Sequence, residues 1–165
     1  NGRGAGAMTP EPSPVTIRRP RPDDLARIVE LESACFTDPW TPDALEAESV
    51  VDPLRLPLVA EIDGRVVGYL MAWRIVDILH VLNIAADPAA RRRGIGSALL
   101  LAAADEARDR GLERITLEVR RSNAGARAFY AGFGFVETGV REGYYAEDGE
   151  DAIILDVLIS DMSHP

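Results

Sequence analysis

The segment running Asn83-Ile-Ala-Ala-Asp-Pro-Ala-Ala-Arg-Arg-Arg-Gly-Ile-Gly-Ser97 decides how this 165-residue chain reads. An apolar run, Ile78 to Ala86, leads into it and stops at Asp87-Pro88, the pattern of a buried strand. Beyond a short basic turn, Ile95, Ala98, Leu99, Ala102 and Ala103 recur at helical spacing. Between strand and helix lies Arg91-x-x-Gly94-x-Gly96. A helix N-terminus exposes unpaired N–H groups with partial positive charge, and glycines let an anion approach the backbone. The turn therefore reads as a pyrophosphate cradle formed by Arg91, Arg92, Arg93, Gly94, Ile95, Gly96 and Ser97. It lacks the Lys-Ser/Thr of a P-loop and the third glycine of the dinucleotide fingerprint. Two plainer readings stand beside this one: glycines at such turns are often structural, and three arginines in a loop are by default a solvated surface.

Outward from this centre the chain alternates strands and helices. Residues 1–14 are rich in Gly, Pro and Ala without periodicity, which predicts a disordered tail. Met8 reads as the natural start, and 1–7 as a cloning remnant. Val15 to Arg19 is a short strand. Pro22-Asp23-Asp24 opens an amphipathic helix carrying Leu25, Ile28, Val29, Leu31 and Glu32. Thr37-Asp38-Pro39-Trp40 breaks it, and Thr41-Pro42-Asp43 starts another, with Thr41 as N-cap. Strands 54–62 and 65–76 flank Asp63-Gly64, a strong hairpin signal. The helix after the cradle runs to Arg110 and closes on Gly111. A strand at 114–119, a short helix at 123–133 and strands at 135–141 and 152–160 complete the order β-α-α-β-β-β-α-β-α-β-β. That order predicts an α/β (α+β) fold, a mixed sheet between helices, within one domain spanning 15–160.

Composition narrows the function classes. No apolar run reaches the roughly 20 residues of a membrane helix, and the N-terminus has no apolar core of a secretory signal. Cys35 is the only cysteine, so no internal disulfide forms, which fits a cytoplasmic protein. With two histidines and one cysteine, a zinc site is not expected. A net charge of −9 argues against nucleic acid and favours a basic protein partner, unless acidity serves solubility alone. All 18 basic residues are arginine.

The blocks Asn-Ile-Ala-Ala-Asp-Pro (83–88), Arg-x-x-Gly-Ile-Gly (91–96), Leu-Glu-Val-Arg-x-Ser-Asn (117–123), Phe-Tyr-x-x-x-Gly-Phe (129–135) and Tyr-Tyr…Gly-Glu-Asp-Ala-Ile-Ile (144–154) resemble the GNAT acyltransferase superfamily. The last three are similar to its RimI branch, the ribosomal-protein alanine N-acetyltransferases. The resemblance covers about 15 to 159 and implies a mostly antiparallel mixed sheet of about seven strands flanked by about four helices. It implies acetyl-CoA as cosubstrate, no metal, and as acceptor the N-terminal α-amine of a basic protein, ribosomal protein S18. A cytoplasmic monomer that binds neither membrane nor nucleic acid is expected.

The resemblance also implies residue roles. Backbone N–H groups at Ile84, Ala85 and Ala86 would donate to the acetyl carbonyl if that strand end is unpaired, ordinary strand pairing being the alternative. Glu118 falls on the general base, expected to have a modestly raised pKa; without the resemblance it reads first as a solvent-facing strand residue. Tyr130 falls on the proton donor to the departing CoA thiolate. Helical periodicity makes Ala126, Phe129 and Phe133 the core stripe and leaves Tyr130 at its margin, an amphipathic core tyrosine being the plainer role. Asn123 matches a CoA contact and equally a helix cap. Trp40, Tyr144 and Tyr145 match the borders of the acceptor groove, or are core and loop aromatics. Ile78 stands where the family often has an acidic residue, which bears on acceptor preference. Other functions compatible with the fold are small-amine acetylation and non-catalytic acyl-CoA sensing.

Overall fold

Asp63 and Gly64 both take left-handed backbone angles, φ 51° and 77°, in the computed structural model, which describes residues 12–165. These angles fit the right-handed twist of a two-residue hairpin, so β2 (Arg55–Ile62) folds directly back as β3 (Arg65–Ile75). The expectations for 1–7, and for most of the 1–14 tail, lie outside the described residues.

In chain order the elements are β1 (Thr16–Arg18), a 3-10 turn (Pro22–Asp24), α1 (Leu25–Cys35), α2 (Pro42–Glu48), β2, β3 and β4 (Ile78–Ala86). There follow a 3-10 turn (Pro88–Ala90), α3 (Ile95–Asp109), β5 (Arg114–Arg120), α4 (Ala124–Gly132), β6 (Val136–Arg141) and β7 (Ala152–Leu158). Boundary residues explain the breaks. Thr41 Oγ1 accepts the Ala44 amide at 3.2 Å to cap α2, and Asn123 Oδ1 accepts the Ala126 amide at 3.0 Å to cap α4. Gly111, at φ 75°, ends α3 in the left-handed conformation.

The strands form one sheet in the order β1-β2-β3-β4-β5-β7-β6, in which β4–β5 is the parallel neighbour pair. Each face of the sheet is covered. On one side Leu70, Ile115 and Leu117 pack with Leu99, Leu100 and Phe133 from α3 and the end of α4. On the other, Val59, Tyr69 and Met71 pack with Ile28, Leu31 and Leu45 from α1 and α2. Burying a side chain of this size contributes roughly 1.5–3 kcal/mol, so the two layers clamp the sheet from both sides.

Two features of β4 shape the site. In its ladder with β3, Met71 faces Asn83 and Ala72 faces Val81, so Leu82 is an extra residue and the strand bulges there. The bulge inverts the sidedness: Leu79 and Val81 belong to the α3 core, and Ala85 to the α1 core. The parallel pairing with β5 covers only Ile78–His80 opposite Arg114–Thr116. Beyond it the strands separate.

Candidate active site

The separation of β4 from β5 opens a cleft of about 680 Å³ through the sheet. Val81 to Ile84 form one wall and Leu117 to Arg120 the other; Asn123, Ala126 and Tyr130 contribute from α4 and its cap. Trp40, from the α1–α2 connection, and Tyr144 and Tyr145, from the β6–β7 loop, border it. The freed edge of β4 supplies donors. The Asp87 amide reaches Val67 O at 2.7 Å, and the register sets Ala86 opposite Gly68. Antiparallel alternation then turns the backbone groups of Ile84 and Ala86 away from β3, toward the cleft. Ala85 differs from the sequence expectation: its backbone groups face Tyr69 in the ladder and its side chain is buried, so it is scaffold.

At the end of β4, Asp87 Oδ1 accepts the Ala89 amide at 2.9 Å and Oδ2 accepts from Arg27 at 2.5 Å, fixing the turn into α3. Helix α3 starts at Gly94, φ 71°, with no side-chain cap, so its first amides stay free for an anion. A Cβ built on Gly94 has nothing within 4 Å, so the approach is open. A Cβ on Gly68 of β3 would strike Ile95 Cγ2 at 2.6 Å and Ala85 O at 2.8 Å, so that glycine lets α3 dock close to the cleft. Ile95 is itself 3% exposed; its side chain anchors the helix and only its amide is on the cradle. Arg91 and Arg92 are exposed, whereas Arg93 donates to Ser13 O at 2.7 Å and is tied to the N-terminal segment. This donor set fits the pyrophosphate of acetyl-CoA: free amides, an open glycine and two exposed guanidinium groups.

Glu118 projects from β5 into the cleft with 12% of its side chain exposed. Its Oε2 lies 2.7 Å from Nε2 of His80, and its Oε1 lies 3.4 Å from the Arg141 guanidinium. The His80 hydrogen bond holds the carboxyl below its ordinary value, outweighing the upward push of burial, and Arg141 adds to the effect. This corrects the expectation of a raised pKa: two basic groups overcome desolvation. Tyr130 corrects the helical periodicity. It is 4% exposed, edge-on to Phe129 and Phe135 at ring-centroid distances of 5.0 and 5.3 Å. Tyr130 joins Ala126, Phe129 and Phe133 at i, i+3, i+4 and i+7 on one buried face, so it lies within the core stripe and not at its margin. Burial pushes the Tyr130 phenol up, so it remains a protonated donor.

Two residues with no assigned site role in the sequence join these. His80 stands on β4 one position before the walls diverge. Glu32, placed by periodicity on the amphipathic helix, is 1% exposed and lines the cleft floor. It accepts from the Trp40 amide at 3.0 Å, from Asn83 Nδ2 at 2.7 Å and from the Tyr69 hydroxyl, and burial raises its pKa. It thereby ties the Trp40 segment to the β4 bulge. Asn123 caps α4 and lines the cleft at once. Across the cleft, Arg120 sits 3.9 Å over the Tyr145 ring and binds Glu147, Asp148 and Glu150, which pins the β6–β7 loop. Among the described residues, no group of three or more His, Cys, Asp or Glu side chains is placed to hold a metal.

Comparison with known proteins agrees with this geometry. The acetyltransferase (GNAT) family model matches residues 25–135. The chain is 35% identical over 147 residues to the Escherichia coli protein named ribosomal protein bS18-alanine N-acetyltransferase, covering 88% of this chain and 98% of that one. It is 38% identical over 151 residues to the Mycobacterium tuberculosis N-alpha-acetyltransferase RimI, covering 88% and 93%. The crystal structure of the Escherichia coli ribosomal-protein-S18-alanine N-acetyltransferase superposes with a TM-score of 0.80 at 32% identity, over 88% of this chain and 94% of that one. The seven-stranded mixed sheet with its cleft between β4 and β5, and these relatives, make the chain a RimI-like member of the GNAT acetyltransferase family.

Proposed function

We propose that this protein acetylates the N-terminal α-amine, that of an alanine, of ribosomal protein bS18. Residues 15–160 would act as one catalytic domain. The observation that carries the reading is the opening of β4 from β5, which gathers freed amides, a carboxylate and a buried phenol around one cleft beside an uncapped helix end. Relatives at 35–38% identity bear the matching names.

Acetyl-CoA supplies the activated acetyl group when bound. The amides of Ile95, Gly96 and Ser97, with Arg91 and Arg92, would hold its pyrophosphate. The amides of Ile84 and Ala86 would donate to the acetyl carbonyl oxygen as negative charge develops there. Glu118 takes a proton from the acceptor ammonium, directly or through one water. An α-ammonium has a pKa of about 7.7–8.0, so roughly a tenth is already neutral at pH 7. A carboxylate of low pKa can therefore serve: it attracts the ammonium and relays its proton to water. Tyr130 hydrogen-bonds the departing sulfur. Its buried phenol parts with a proton only as the thiolate forms, a late transfer. Trp40, Tyr144 and Tyr145 border the space for the first acceptor residues.

A lysine amine, with a pKa of about 10.4, is roughly 3 kcal/mol harder to deprotonate, and Glu118 is too weak a base to offset that. The test is mass spectrometry of a peptide that begins with alanine and carries an internal lysine, incubated with acetyl-CoA. Label on the α-amine is expected. Label on the lysine, or on small amines alone, would overturn the proposal.

A further inference from the structure

The one histidine in the cleft region has no role in the chemistry above, yet it touches the residue on which that chemistry turns. His80 and Glu118 are 38 residues apart in sequence and come together because His80 pairs in parallel with Thr116 of β5, two residues before Glu118. Their side chains are 20% and 12% exposed. We propose that His80 is the positioning residue of the catalytic base: Nε2–H of its neutral ring grips Oε2 of Glu118, presents Oε1 to the acceptor amine, and shuts the base off when the ring gains a second proton.

The argument is one of geometry and charge. A Glu side chain on a strand beside an open cleft has three rotatable bonds, and a hydrogen bond to one oxygen fixes the direction of the other. Oε1 faces only Arg141, at ion-pair distance without a hydrogen bond and with 54% of its side chain exposed, so an incoming ammonium can displace it. Imidazole is the side chain that changes charge between pH 5 and 8. A neutral ring leaves Glu118 its full negative charge. An imidazolium cancels that charge, weakens the carboxylate as a proton acceptor and repels the acceptor ammonium.

From β6 comes Arg141, and from β7 Asp156, whose charge opposes that of Arg141 on Glu118. Arg114 of β5 pairs with Asp156 at 3.5 Å. From β3 the register neighbour of His80 is Trp73, which is uncharged and donates to Glu48 of α2 at 2.6 Å.

The inference rests on Glu118 as the base, and the experiment separates the two. kcat/KM for an alanine-starting peptide is followed over roughly pH 5.5 to 9. In the wild type, loss of activity toward acid should steepen from one proton, that of the acceptor amine, to two. His80→Leu should lower kcat about tenfold at alkaline pH with acetyl-CoA affinity unchanged, and His80→Gln, which can still donate to Oε2, should restore most of that loss. The Gln variant should lose activity toward acid with one proton only. A His80→Gln profile that superposes on the wild type, or a Leu variant with wild-type turnover, overturns the inference. Glu118→Gln with full activity would instead remove the base and this inference with it. A second measurement needs no folded His80 variant. The chain has two histidines, and the imidazole resonance that moves in Glu118→Gln belongs to His80. Its titration midpoint should coincide with the second step of the wild-type profile, and a mismatch overturns the inference.

Discussion

Glu118 and Tyr130 face one cleft under opposite influences: basic partners hold the carboxyl low, and burial holds the phenol high. Each is thus kept in the form the proposed reaction needs at neutral pH, a carboxylate and a protonated hydroxyl. Glu118→Gln and Tyr130→Phe should each lower turnover by about 10² to 10⁴ while acetyl-CoA affinity, measured by calorimetry, stays near normal. Affinity that falls as far as turnover would make them binding residues instead. Glu118 was singled out by the family resemblance, since on the residues alone it falls with Thr116 on the outer side of the 115–119 alternation and reads as solvent-facing. Its state was not legible, because His80 reaches it through strand pairing that periodicity does not report. A residue-scale test of stability lies elsewhere. Asp24 accepts from Arg18 at 2.7 and 3.1 Å and from the Arg21 amide at 2.6 Å, and these bonds lower its pKa. A depressed carboxyl contributes stability above its unfolded pKa, and that contribution is lost as pH falls through the lower folded value. Asp24→Asn should therefore cost about 1–3 kcal/mol at pH 7 and much less near pH 2. Urea unfolding at both values checks it.

At the scale of elements, the strand–turn–helix unit from β4 to α3 was readable because local chemistry sets each boundary: Asp87 caps the turn, Gly94 takes the left-handed entry, and Gly111 ends the helix. A bulge in β4 was implied by the family resemblance alone; no glycine or proline marks Leu82, and the register with β3 is what places it there. Two substitutions test what these elements do. A Cβ on Gly96 would meet the Phe129 ring at 3.5 Å, an ordinary contact, so a side chain fits the fold. On the ligand side, a branched side chain at the second residue of α3 crowds the free amides that an anion must approach. Gly96→Val should weaken acetyl-CoA binding at least tenfold, about 1.4 kcal/mol, with a small change in Tm. Unchanged affinity would dismiss the cradle. Glu32 clasps α1, the Trp40 segment and Asn83 through three donors. Glu32→Gln replaces one accepting oxygen with a donor and leaves a buried partner unmatched, at a cost of about 1–3 kcal/mol. If the clasp sets the acceptor border, peptide KM should rise severalfold while KM for acetyl-CoA holds. Equal rises in both would assign Glu32 to general stability.

Over the whole molecule the charge is −9, carried against 18 arginines and no lysine, so the protein presents no lysine side chain to its own activity. The sign of the field around the cleft follows from its border. Arg120 is the cation that binds Glu147, Asp148 and Glu150 together, so three carboxylates share one guanidinium and the β6–β7 border is left negative. Asp38, on the facing border, adds to it; a hydrogen bond with Glu147, and then the like charge of that carboxylate, raise its pKa. A cleft lined by one sign of charge focuses the field and speeds encounter with a partner of the other sign. That effect acts on association and is screened by salt, since the Debye length falls from about 30 Å at 0.01 M to about 8 Å at 0.15 M. An alanine-starting peptide with arginines at its following positions should therefore lose several-fold in kcat/KM across that range, through its KM. A peptide with serines at the same positions should begin at the lower value and stay there, because it has no steering to lose. The chemical step lies inside the cleft, where screening is weak, so kcat should be the same for both peptides at both salt concentrations. Parallel curves for the two peptides would mean that the acidity serves solubility alone, and that the acceptor is recognised by shape at its first residue.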